Sequence, residues 1–342
     1  MEPTLASSLW DPDEAFEGSD TSRLPTGCQA IDTALQGGFD CGTISCISAD
    51  LRSGGSEISQ AVLISHLLSS DNASATILDT GQAVDVRRLY QAVLLNTEDE
   101  TDKDARAKRS LGRLRIMKAF DFIGLSECVQ ELREVPERAN GNEVDQQARA
   151  QAPRGTVPDS QDEEEMLDDA SPPPDVKSTV DLPSHSSNND QGGLLIIDNI
   201  MQVAAPLLKN NHAQGQALIT AFMRSLSHLT RSRKLCTILL NGAISNKHTK
   251  DETQSAFSSC TVRPALGSTF ASMIDLHLLV HQVPSGAVST TRAKSTNEKP
   301  VQHGASEVNV LEVLQDCYHQ RYGRWAAFAM DDNGVLTDVA QS

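Results

Sequence analysis

The chain has 342 residues, of which 39% are hydrophobic and only 4% aromatic, and it carries 46 acidic against 29 basic residues for a net charge of −17. That length allows one large domain or two small ones, and so few aromatics place part of the chain outside any core. Such a field excludes nucleic-acid binding driven by overall charge, so any phosphate contact must come from local basic loops.

Residues 1–22 read as a disordered acidic tail in which Trp10 and Phe16 are the only aromatics. Residues 42–47 (GTISCI) have the apolar character of a strand, and a Gly-rich turn leads from them into helical spacing over 56–68. The next strand is 74–79 (SATILD), followed by helix-period residues from 86 to 95. Residues 113–119 form a further strand, and Leu125, Cys128, Val129 and Leu132 mark one helix face. Residues 137–190 then stand apart, with 13 Asp/Glu against 4 Lys/Arg, six of the 14 prolines, and the run Asp162-Glu-Glu-Glu165. A stretch this charged and this poor in apolar groups cannot offset its ordering entropy, and it is expected to be a disordered insert. Beyond it come a strand at 194–197 and a helix with Leu218, Phe222, Leu226 and Leu229 on one face. Strands at 236–240 and 276–281 follow, while 97–104 and 284–307 read as loops.

Short apolar strands alternating with helices predict an α/β fold with a mostly parallel central sheet and helices on both faces. The seven cysteines (28, 41, 46, 128, 236, 260 and 317) contain no CxxC pair, and several lie in apolar runs, which predicts free thiols in a reducing compartment. The start lacks a signal-peptide layout, and no apolar run approaches the ~20 residues that span a bilayer. A soluble intracellular protein with no membrane partner is expected.

The turn after the first long strand reads Ala49-Asp-Leu-Arg52-Ser53-Gly54-Gly55-Ser56. A phosphate-binding loop needs G-x-x-x-x-G-K-[ST] there: glycines for close backbone approach, Lys for the terminal phosphates, a hydroxyl for magnesium. Gly54 and Ser56 are in register, but Ala49 stands for the first glycine and Gly55 for the lysine. Gly192-Gly-Leu-Leu-Ile-Ile-Asp198 ends an apolar run on an acid that could orient a metal, and Cys236-Thr-Ile-Leu-Leu-Asn241 ends on a polar residue.

Several ordered segments together carry a family resemblance. Leu24-Pro-Thr-Gly27, Ile31-Asp32, Gly37-Gly38 and Cys41-Gly-Thr-Ile resemble the start of the RecA/RadA recombinase core. Ile77-Leu-Asp79-Thr80 with Arg88-Leu89 is similar to its second strand and helix. Leu114–Asp121, Gln130–Arg133, Ala205–Leu208 and Arg263-Pro-Ala-Leu-Gly267 look most like the D-type member of the eukaryotic Rad-fifty-one paralogues. The resemblance covers 23–136 and 191–340, and implies a RecA-like P-loop NTPase core interrupted by the acidic insert.

Departures from the family pattern set the functional expectation. The family's P-loop lysine is Gly55, its catalytic glutamate is Gly81, and its strand-end Asn-Gln is Asn241-Gly242. The loss of all three leaves little of a phosphoryl-transfer apparatus, so a pseudo-ATPase is expected. Arg52, Ser53, Gly54, Gly55, Ser56, Asp198 and Asn241 form the degenerate nucleotide site, with Ser56 and Asp198 as metal ligands only if Mg-nucleotide binds. No cofactor is expected, and ATP with magnesium is doubtful.

The resemblance also implies DNA-facing loops, around residues 208–212 and 243–262, with Lys209, Lys247, Lys250 and Arg263 as phosphate contacts. Phe257 is the one aromatic in them, so direct affinity for single-stranded DNA should be weak. The helical domain that usually precedes the D-type core is not expected in only about 22 residues. Trp10 and Phe16 are candidates for docking on a neighbouring subunit, and Ser160 for regulatory phosphorylation. The implied partners are the C-type and XRCC-two-type paralogues and, through them, the strand-exchange recombinase on single-stranded DNA in the nucleus. Two alternatives stand beside this mediator role: an active DNA-dependent ATPase of the same family, and a RecA-fold scaffold in an unrelated assembly such as Elongator.

Overall fold

A computed structural model describes residues 22–50, 52–97, 102–134, 193–245, 255–288, 307–331 and 333–339. All of them belong to one compact unit, Met1–Glu134 with Gln191–Ser342; the other unit, Val135–Asp190, contains none. The predicted acidic insert, Ser160 and all but the last residue of the predicted tail lie outside the described residues.

The core alternates as expected. After a short β1 (Arg23–Leu24), α1 (Gln29–Ala34) and β2 (Phe39–Asp40) come β3 (Ile44–Ala49), α2 (Gly55–Ser69), β4 (Ala75–Asp79), α3 (Val86–Leu95), α4 (Lys103–Gly112), β5 (Leu114–Lys118) and α5 (Phe122–Glu134). Beyond the insert lie β6 (Leu194–Asp198), α6 (Ile200–Asn210), α7 (His212–Ser232), β7 (Cys236–Ser245), β8 (Val262–Pro264), α8 (Gly267–Ala271) and β9 (Leu276–Pro284). The chain then makes β10 (Glu307–Asp316), β11 (Trp325–Met330) and β12 (Leu336–Asp338).

The main sheet runs β12-β11-β10-β9-β3-β7-β6-β4-β5, with β8 paired to β7. From β9 to β5 every pairing is parallel, and from β9 to β12 every pairing is antiparallel. Central parallel strands are covered on both faces, so they need continuous apolar runs, and runs such as Leu194–Ile197 (LLII) supply them. One face of the sheet packs on α1, α2 and α3 through Ile31, Ile58, Val62 and Leu89. The opposite face packs on α5, α6, α7 and α8 through Leu125, Val203, Leu226 and Phe270. Phe122 and Phe222 meet with ring centroids 5.3 Å apart, joining α5 to α7. Each such fully buried side chain contributes about 1.5–3 kcal/mol.

The structure corrects three readings. The segment around Leu208–His212 is not a loop: α6 extends through Asn210, and Asn211 at once caps α7 by accepting from the Gln214 amide at 3.2 Å. Pro206 and the polar Lys-Asn-Asn run gave it a loop-like sequence, but the two helices cross so closely that a Cβ at Gly215 would lie 3.0 Å from the Leu207 backbone. Charged residues 103–112, assigned partly to a loop, form α4, whose Ala107 is buried against Val93 of α3. The first long strand runs 44–49 rather than 42–47, because Gly42, at φ 79°, turns the chain before it.

Candidate functional site

The candidate site lies at the carboxyl edge of the parallel strands, where α/β proteins place their ligands. β4, β6, β7 and β3 are consecutive in the sheet, so Asp79 and Asp198 at their strand ends, Asn241 within β7 opposite Ser48, and the turn after Ala49 come to one edge. Three non-glycine residues with left-handed backbone sit on these ends: Arg52 (φ 71°), Gln82 (φ 53°) and Asn199 (φ 51°). Strain of this kind, about 1–3 kcal/mol per residue, is characteristic of functional edges.

The turn itself is closed by packing. Ser53 is buried, and its hydroxyl donates to the Asp50 carbonyl at 2.7 Å and the Val280 carbonyl at 3.0 Å. Gly54 has φ 97°, and a Cβ there would lie 2.7 Å from Met330 Sδ and 2.9 Å from the Phe328 ring. Its lack of a side chain is therefore fixed by the C-terminal strand β11. At Gly55 the result is sharper. A Cβ there would lie 2.3 Å from the Cβ of Ala49. The methyl at the first-glycine position occupies the space that the first side-chain carbon of a lysine would need. Ala49 and Gly55 thus face each other across the turn so closely that only one of them can carry a side chain.

The other predicted residues do not complete a phosphate cradle. Ser56 is exposed, and its hydroxyl donates to Glu57 Oε2 at 2.8 Å. Glu57 puts a carboxylate in the first turn of α2, where the helix dipole would otherwise favour phosphate, and pairs with Arg88 at 3.6 Å. Arg52 is exposed. Asn241 is buried; its amide donates to Ser48 Oγ at 2.9 Å, Ser48 meets His277 Nε2 at 2.9 Å, and Asn241 Oδ1 has no hydrogen-bond partner. Burial pushes His277 down to about 4, so this layer stays neutral at physiological pH. At Gly242, a Cβ would lie 2.7 Å from Met201 Sδ, the movable end of a flexible side chain.

Asp198 and Asp79 face each other in register on β6 and β4. Burial first, and the Asp79 charge second, raise Asp198 to about 6. Thr80 ties the two strands together by donating to the Asp198 and Asn199 carbonyls. Gly81 differs from Gly55 and Gly242: a Cβ there would meet Asp198 Oδ2 at 3.5 Å and Ala83 at 3.8 Å, ordinary contacts. Among the described residues no group of three or more His, Cys, Asp or Glu could hold a metal ion. At this turn the Ala49 methyl stands where a Cβ at Gly55 would go, and Glu57 places a carboxylate at the helix end.

Of the DNA candidates, Lys209 is exposed in the last turn of α6 and Arg263 is exposed on β8. Lys247, Lys250, Trp10 and Phe16 lie outside the described residues. No helix among the described residues is long and apolar enough to cross a membrane.

Comparison with known proteins agrees with this architecture. The structure superposes on the RadB recombinase with a TM-score of 0.55, at 16% identity, covering 93% of this chain and all of the other. The fold is that of a RecA/Rad51-like recombinase core. In sequence, the chain is 21% identical over 281 residues to DNA repair protein RAD51 homolog 4 of Bos taurus, covering 82% of this chain and 68% of that protein. It is 23% identical over 267 residues to the Mus musculus protein of the same name, covering 78% and 63%. The chain thus spans about two thirds of the length of these relatives. No family model matches it.

Sequence reading of the RecA-like core missed two groups of residues. Phe328 and Met330, which seal the turn at Gly54, lie some 275 residues from it and carry no motif. The buried set Cys260, His281 and Glu312 is also spread over three separate segments.

Proposed function

We propose that this chain is a non-catalytic recombinase paralogue acting in homologous-recombination DNA repair, as a subunit of a mediator complex on single-stranded DNA in the nucleus. The observation that carries the non-catalytic part is the Ala49–Gly55 packing, which places the Ala49 methyl 2.3 Å from where a Cβ at Gly55 would go. Glu57 at the helix end supports the same reading. The repair role rests on similarity to RAD51 homolog 4, together with a RecA-like core. Its partners are other recombinase paralogues, of the C-type and XRCC-two-type, and through them the strand-exchange recombinase. Contact with DNA is weak or made through the complex, and neither ATP nor magnesium is required for assembly.

The test is affinity purification of the full chain from its native nuclei, with co-purifying chains identified by mass spectrometry in the presence and absence of ATP. Recovery of recombinase paralogues under both conditions supports the reading. Recovery only with ATP would remove the non-catalytic claim, and recovery of unrelated subunits alone would remove the mediator role.

A further inference from the structure

Opposite the strand-end site, at the amino edge of the sheet, residues 317–324 turn the chain from β10 into β11. Asp316, the last residue of β10, shapes this loop. Its Oδ1 accepts from the Tyr318 amide at 3.2 Å and the His319 amide at 3.1 Å. Its Oδ2 accepts from the Arg321 amide at 3.3 Å and from Arg321 Nε at 2.6 Å. Arg321 then runs inward, 1% exposed, and donates to Asp40 Oδ2 at 2.6 Å and to the Leu35 carbonyl at 3.2 Å. Gly323, at φ 75°, closes the turn, and the Arg324 amide donates to the Arg321 carbonyl at 2.9 Å. Buried charge pairs therefore set the loop's shape, rather than the side chains it turns outward.

Those outward side chains are aromatic and cationic. Tyr322 is 70% and Tyr318 39% exposed, so two of the chain's three tyrosines stand on one loop. Arg324 is exposed, and its guanidinium has no hydrogen bond or ion pair among the described residues. Arg231, in the last turn of α7, reaches the loop from beside it, donating to the Tyr318 hydroxyl at 3.0 Å and pairing with Asp275 at 3.4 Å. Lys234 is exposed where α7 passes into β7. β7, β3, β9, β10 and β11 are consecutive in the sheet, so Lys234 at the foot of the first and Arg324 at the foot of the last stand four strand spacings apart, about 19 Å. The acids beside this edge are engaged: Asp40 and Asp316 by Arg23 and Arg321, and Asp275 by the Ile44 amide at 2.8 Å as well as by Arg231. On a chain of net charge −17, the edge thus presents cations and rings. The two tyrosines are the loop's only exposed large apolar side chains, without the aliphatic surround that the centre of a protein–protein interface needs. Rings interleaved with cations suit unpaired bases and their phosphates.

We propose that this amino-edge loop is a contact site for single-stranded nucleic acid, with bases stacked on Tyr318 and Tyr322 and phosphates held by Arg231 and Arg324. The proposal rests on the reading that the chain works on single-stranded DNA, and adds a direct contact at the edge of the sheet away from Arg263. Tyr322 and Arg324 carry most of the contact, because Tyr318 and Arg231 already hold each other. Asp316 and Arg321 are positioning residues, since they shape the loop from inside and face no ligand.

Fluorescence anisotropy of a labelled oligo-dT of about 20 nucleotides, titrated with the full chain between about 50 and 200 mM salt, tests this. The dissociation constant is expected in the range of about 1–100 μM. Tyr322→Ala should weaken binding about fivefold or more, and Tyr322→Phe, which keeps the ring, should bind like the parent. Arg324→Ala should reduce the slope of log affinity against log salt by about 0.7. All three variants should melt with the parent chain, since these side chains are exposed and do not hold the fold. No binding by the parent chain would overturn the proposal and leave the mediator reading standing, because contact would then run through the partners. Binding that Tyr322→Ala and Arg324→Ala leave unchanged would also overturn it. If those variants instead lose co-purifying paralogues while DNA binding is unchanged, the loop is a protein-docking surface and the nucleic-acid proposal falls. The mediator reading fails separately, if the parent chain itself recovers no paralogues.

Discussion

At Gly55 the packing of the turn after β3 depends on a single contact. Because the Ala49 methyl already stands where a Cβ would go, restoring lysine alone forces overpacking against a strand. Gly55→Lys is expected to destabilise by about 1–3 kcal/mol. Ala49→Gly with Gly55→Lys should recover most of that loss, since residues in contact couple strongly. Equal melting temperatures for the single and double variants would show that the two positions are independent. Gly81 makes the contrast, because its neighbours leave room for a side chain. Asp198 gives a second residue-scale test. Its folded pKa of about 6 lies above the ordinary carboxylate value of 3.8, so between pH 4 and 6 the folded chain holds a proton that the unfolded chain has released. Stability from this group therefore falls as pH rises through that window, and the charge costs at most about 3 kcal/mol at pH 7. Asp198→Asn should raise the melting temperature at pH 7 and leave it nearly unchanged at pH 4. A loss of stability at both values would mean that the Asp79–Asp198 pair is compensated by a group outside it.

Among the elements, the legible ones were those buried on both faces. Leu194–Ile197 and Cys236–Leu240 are continuous apolar runs because helices cover both sides of the sheet, and no helix gives that pattern at such short length. α6 was illegible because Pro206 and the Lys-Asn-Asn end imitate a loop, and only its crossing with α7 at Gly215 makes it a helix. β10 was missed because its pattern is broken by Asn309 and Glu312, both buried through partners on other strands. The degenerate motif could be read as a loss from the sequence; that the Ala49 methyl stands where a Cβ at Gly55 would go could not, since it is a property of distance. α1 shows the same dependence on remote partners. Cys28 at its start makes no capping bond, and the cap comes from Asp338 of β12, whose Oδ1 accepts from the Ala30 amide at 2.7 Å and from Cys28 Sγ at 3.2 Å. Asp338→Ala should cost about 1 kcal/mol. The check is urea unfolding with an unchanged m-value, because a changed slope would mean that β12 had detached altogether.

Taken as a whole molecule, the RecA-like core is fastened where its first and last described segments meet. Arg321, 1% exposed, donates to Asp40 at 2.6 Å and to Asp316 at 2.6 Å, and Arg23 holds the other oxygen of Asp40 at 2.6 Å. Arg321→Met would leave two buried carboxylates without their shared cation, at a cost of about 3–5 kcal/mol. That fastening also positions β11, whose Phe328 and Met330 pack against the turn at Gly54. The consequence is measurable in the full chain. A ligand held at a hundred times its dissociation constant stabilises a protein by about 2.7 kcal/mol, which in a chain of this size is a rise of several degrees. Millimolar ATP with magnesium is expected to leave the melting temperature within about 1 °C of the ligand-free value, because the turn is already filled by protein. A rise of several degrees that disappears in Asp198→Asn would show instead that the turn opens to nucleotide, and the reading of a closed site would have to be abandoned.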